Sequence, residues 1–167
     1  KSNNKKKYYD HVVVSVHSNQ VKDLIFSPEY KDLAIFSNIK YSKNKVYLHS
    51  DSKLMPKRKN VWASWNYIEN KSGITVTYWM NLLQKIGTDK DFFVTLNPEQ
   101  PPDSDKIEKE IIYDHPIYDL ETFKNQAKIE LLQGKENLWF CGAYLGYGFH
   151  EDGISSGIKV AKKLLKG

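Results

Sequence analysis

The stretch "WFCGAYLGYGFHEDGISSGIKVAKKL", Trp139 to Leu164, decides how this chain is read. Its opening, within "NLWFCGAY", is apolar and reads as a short strand. Glycines at 142, 146 and 148 then break the pattern. His150, Glu151, Asp152 and Gly153 follow, and after them Ile154, Ile158, Ala161 and Leu165 recur at helical spacing. Lys159, Lys162, Lys163 and Lys166 lie off that stripe. A helix N-terminus exposes unpaired N–H groups and about half a positive charge. Glycines let a ligand approach the backbone closely. "GISSG" therefore reads as a helix start at which main-chain amides, helped by Ser155 and Ser156, hold a flat or anionic ligand. Strand-to-helix turns rich in glycine also occur without a ligand, and Glu-Asp at a helix start also serves the macrodipole.

Working outward, the flanking segments alternate between helix and strand signals. Asp119 caps a helix that carries Leu120, Phe123, Ala127 and Leu131 and closes at Gly134. At the other end, "HVVVSV" (11–16) has the pattern of a strand buried on both faces. Val21, Leu24 and Ile25 follow at helical spacing. Ser27, Pro28 and Glu29 mark another helix start.

The middle is rich in β signals. "KNKVYLHS", "VWASWNYI" and "GITVTYW" alternate, the last two joined through "ENKSG" as a hairpin. "FFVTLNP" and "IEKEIIYDHP" add strands ended by Pro98 and Pro116. The fold expected is α+β (α/β): a mainly antiparallel sheet domain at 39–118, flanked by 1–38 and 119–167.

Composition narrows the function. Of 167 residues 40% are hydrophobic, which suits a globular domain, and no apolar run is long enough to span a bilayer. The net charge of +5 is almost all lysine, with Arg58 the one arginine. Specific nucleic-acid readers favour the planar guanidinium, so no nucleic acid is expected. One cysteine, Cys141, excludes a disulfide framework and points to the cytoplasm. His17, His49 and His115 lack ligand spacing, and no metal is expected. Glu151 and Asp152 are adjacent and do not read as an acid/base pair, and no Ser/His/Asp nucleophile context occurs. No catalytic residue is assigned. Trp65, Asn66 and Trp79, among the aromatic cluster of the hairpin, are candidates for a substrate pocket.

The 139–164 stretch resembles the C-terminal signature of bacterial flavin-containing amine-oxidase-like proteins, a family of NAD/FAD-binding oxidoreductases. "VVVSVHSNQ", "VYLHSDSKLMPKRKNVWASWNY", "VTYWMNLLQ", "FFVTLNP" and "HPIYD" agree in the same order. The resemblance implies an FAD cofactor and a small-molecule substrate. It implies that 39–118 is the substrate domain and that the ends belong to a Rossmann-like FAD-binding domain. Gly142, Ala143, His150, Glu151, Asp152, Gly153 and Ile154 would then lie against the flavin.

Two departures stand out. Ala143 occupies a position that is acidic in many members of the superfamily. No GxGxxG phosphate cradle is present, since Glu151 stands where a third glycine is required after Gly146 and Gly148. The expectation is thus a C-terminal part of a longer enzyme, completed by an N-terminal FAD-binding segment and binding FAD weakly by itself. The alternative is a non-enzymatic β-sheet module with a basic surface for a lipid, nucleotide or protein partner.

Overall fold

The computed structural model describes residues 6–26, 31–70 and 73–166. The helix start read at Ser27–Pro28–Glu29, and Lys71 and Ser72 of the hairpin turn, lie outside the described residues. The fold combines helices with parallel and antiparallel sheets, the α+β class. The chain divides into two units, 1–42 with 116–167, and 43–115.

In the first unit, β1 (Val12–Val14) pairs in parallel with β7 (Leu138–Phe140) as a two-stranded sheet. Helices α1 (Ser18–Leu24), α2 (Ala34–Ser37), α4 (Leu120–Glu130) and α5 (His150–Leu164) accompany it. The core gathers Val14, Val21, Phe36, Ile129, Phe140 and Tyr144. Phe36 and Phe140 meet with ring centroids 4.5 Å apart. The Asp119 carboxylate accepts the Thr122 N–H at 2.8 Å, capping α4 as its sequence predicts.

β1 departs from expectation. Instead of being buried on both faces, Val12 and Val13 are 44% and 45% exposed. Among the described residues β7 is the one strand that pairs with it, and of its three residues only Val14 joins the core. The helices show the same inversion. Leu120, Phe123, Ala127 and Leu131 of α4 are exposed while Thr122, Asn125 and Ile129 are buried. On α5, Ile154, Ile158, Ala161 and Leu165 are exposed while Ser156 and Val160 are buried.

The second unit is built on a five-stranded sheet in the order β3-β4-β5-β2-β6. Its strands are β2 (Tyr41–His49), β3 (Trp65–Asn70), β4 (Gly73–Trp79), β5 (Phe93–Leu96) and β6 (Ile107–Pro116), with α3 (Met80–Leu83) following β4. β3 and β4 pair antiparallel from Trp65–Tyr78 to Asn70–Gly73. The strand begins later than the alternation from Val61 predicts. A 3-10 turn at Lys59–Val61 and the Asn66 amide, bonded to both Ala63 N (3.0 Å) and Ala63 O (2.7 Å), bend that segment.

Candidate functional site

The turn between β7 and α5 is held almost entirely by the chain's own groups. Gly142 follows Cys141, and a 3-10 turn spans Ala143–Leu145. The Gly142 N–H donates to Ser156 Oγ at 2.9 Å, and that hydroxyl donates to Gly153 O at 2.7 Å. A Cβ built on Gly153 would lie 3.7 Å from Ala143 N, so the strand end stands about one side-chain atom away from the helix start. Four of the sequence-derived ligand positions, Gly142, Ala143, Asp152 and Gly153, are thereby brought together. His150, Glu151 and Ile154 project outward and are exposed.

Asp152 closes the helix mouth. Its Oδ2 accepts from Tyr147 N at 3.0 Å and from Phe149 N at 2.9 Å. A Cβ on Gly146 would overlap this carboxyl group, which is why glycine stands there. Gly148 adopts φ of +90°, and its missing Cβ leaves room for Tyr118 Oη. From α4, Gln126 Nε2 donates to Tyr144 O (3.0 Å) and Gly146 O (2.7 Å) and braces the turn from below. Burial pushes the Tyr118 phenol up to about 12 and raises the Cys141 thiol, so neither is ionised at neutral pH.

What can this turn hold? The first amides of α5 and its macrodipole favour electron-rich atoms. The Asp152 carboxylate already answers part of that charge. A second full anion such as pyrophosphate would meet like-charge repulsion here.

In the second unit the candidate pocket residues separate. Directly paired residues of adjacent strands share a sheet face. Asn66, Thr77, Thr95 and Tyr47 form one row, and Trp79, Phe93 and His49 the next. This face is covered by the 51–63 loop, where Trp62 packs edge-on against Trp79 (5.3 Å) and Phe93 (5.6 Å). Trp65 lies on the opposite face with Tyr78, Val94 and Leu48, and with the row Tyr67, Val76, Leu96 and Val46. Trp65 and Tyr67 are 46% and 64% exposed. Trp65 therefore shares no pocket with Asn66 and Trp79.

No family model matches the sequence, and no curated protein matches it significantly. Among solved structures, the chain is similar to one described as "Putative protoporphyrinogen oxidase from Exiguobacterium sp. 255-15". The likeness has a TM-score of 0.53 at 11% sequence identity. It covers 96% of this chain and 42% of the other. The likeness is one of fold. This chain spans well under half of that protein's length.

Sequence reasoning missed a buried polar relay on the covered face. His49 is fully buried. Its Nδ1 accepts the Asp51 N–H at 3.0 Å, which leaves the proton on Nε2. Nε2–H donates to Thr95 Oγ1 (2.7 Å), Thr95 to Thr77 Oγ1 (2.9 Å), and Thr77 to Leu54 O (3.2 Å). Burial lowers the imidazole to about 4, so it stays neutral. The signal in the sequence is weak: "TVT" and "VTL" place threonines on alternate positions, but their meeting with His49 depends on strand order. Among the described residues no group of three or more His, Cys, Asp or Glu could hold a metal ion, and no helix is long and apolar enough to cross a membrane.

Proposed function

We propose that this chain is the substrate-binding and C-terminal part of an FAD-dependent oxidoreductase of the amine-oxidase type. The observation that carries the reading is the incomplete α/β layer of the first unit. Parallel sheets are normally covered on both faces and seldom stop at two strands. Among the described residues β1 and β7 form a sheet of two strands, Val12 and Val13 are half exposed, and the apolar stripes of α4 and α5 face outward. An N-terminal segment of the same polypeptide, contributing further strands and the phosphate cradle, would supply what that surface lacks.

On this reading the β7–α5 turn meets the flavin ring edge rather than the pyrophosphate. The amides at the start of α5 would stabilise negative charge on the ring, and Asp152 would hold the turn's shape. When bound, the flavin supplies the hydride acceptor. The chain's own part is to fix the turn through Gly142, Ser156 and Gln126 and to present the substrate domain.

Purification of the natural gene product that contains this chain tests the proposal. A yellow protein that bleaches when substrate is added under anaerobic conditions supports it. A colourless product that takes up no FAD overturns it and leaves the sheet as a binding module.

A further inference from the structure

The five-stranded sheet has one covered face and one that is partly open. The covered face mixes Thr77, Thr95, His49 and Asn66 with Tyr47, Trp79 and Phe93, while the opposite face carries valine, leucine, tryptophan and tyrosine, part of it exposed. Toward the β6 side this open face deepens into a hollow of about 460 Å3. Val46, Leu48 and Val94 form its floor. Met80 and Ile86, from the segment after β4, make one wall, and Tyr113 of β6 the other. Among the described residues no lysine, arginine, aspartate or glutamate lines it, and Gln84 is its one amide side chain.

We propose that this hollow binds a planar, uncharged, apolar ring system. The floor is the pleated surface of two neighbouring strands, which offers a broad, shallow contact to a flat molecule. An ion buried against these side chains would lose its hydration with nothing in return. The volume falls in the range of small-ligand sites, about 300–1,000 Å3, and the walls on two sides favour a small molecule over a flat protein surface. Gln84 can both donate and accept, so a single carbonyl or ring N–H on the ligand's rim would set its orientation. That this molecule is the oxidised substrate rests on the oxidoreductase reading; the preference of the hollow does not.

The test is titration of the 167-residue chain with N-phenyl-1-naphthylamine, an uncharged aromatic probe that fluoresces in apolar surroundings. Saturable enhancement at one site per chain is expected. Val94→Asp, which puts a charge on the floor, is expected to weaken it at least about tenfold. Ile86→Trp fills the hollow from its rim and is expected to weaken binding without moving the melting temperature. Absence of saturable binding overturns the proposal, as do folded variants that bind like the parent. Equal affinity for 1-anilinonaphthalene-8-sulfonate overturns the preference for uncharged ligands. Self-association that Ile86→Asp abolishes would make the face a protein interface and also overturn it. Lack of FAD in the natural gene product overturns only the oxidoreductase reading and leaves the probe result standing.

Discussion

Ser156 ties the last helix to the last strand: its Oγ accepts the Gly142 N–H at 2.9 Å, fourteen residues away. Ser156 is buried and Gly142 partly so, and truncation strips that N–H of this partner. Ser156→Ala should cost about 1–3 kcal/mol by denaturant unfolding. An unchanged midpoint would show that the turn holds itself without this bond.

The relay from His49 makes stability depend on pH. The folded protein keeps His49 neutral down to about pH 4, because burial disfavours the charged ring, while an unfolded histidine takes up a proton near 6.5. Between these values the unfolded state binds the extra proton. Stability is therefore full above about 6.5 and is lost as pH falls toward 4, by at most on the order of 3 kcal/mol. Unfolding midpoints measured across this window should show the loss, and His49→Gln should flatten it. Parallel curves for the two proteins would assign the loss to other groups.

Asn125 is fully buried on α4, yet among the described residues neither of its amide atoms finds a hydrogen-bond partner, nor does the Tyr144 hydroxyl. Removing such groups relieves a desolvation cost of about 1–3 kcal/mol each. Asn125→Leu and Tyr144→Phe should each raise the melting temperature. A fall in both would mean that these groups bind internal water.

The outward stripe of α5 separates the chain by itself from the longer protein proposed for it. Ile154 is 60% exposed, and Ile158 lies one turn further along the same exposed stripe. In the 167-residue chain, Ile154→Glu with Ile158→Lys should change stability by no more than about 0.5 kcal/mol per site and should suppress aggregation in light scattering. In the natural gene product the same pair should lower the melting temperature by several degrees. Indifference in both contexts would mean that nothing covers this stripe.

Local chemistry was the legible part of the sequence. Asp119 announces its helix because a carboxylate before an apolar period has a specific bond to make, and the Thr122 N–H receives it. The β3–β4 pairing follows from alternation around a turn. The approach of Gly142 and Ala143 to the start of α5 follows from a glycine-rich strand-to-helix connection. Orientation was not legible. Periodicity marks an apolar face on α4 and α5 but does not say what covers it, and here Thr122, Asn125 and Ser156 turn inward instead. Likewise the aromatic cluster of the hairpin reads as one patch, whereas the pleat sends Trp65 to one side and Trp79 to the other. His49 lacks any local motif, since its partner Thr95 arrives from a strand 46 residues later.

The directed bonds among Thr77, Thr95 and His49 also guard against misalignment. A strand whose two sides were both greasy could slide by a single position at little cost, exchanging inside for outside. Here such a slip of β5 would push Val94 among hydroxyls and strand Thr95 on the apolar side, with the imidazole N–H left unanswered. These hydroxyls and the imidazole, set among Phe93 and Tyr47, thus act as the sheet's proofreader, leaving its opposite side free to be as hydrophobic as a ligand requires.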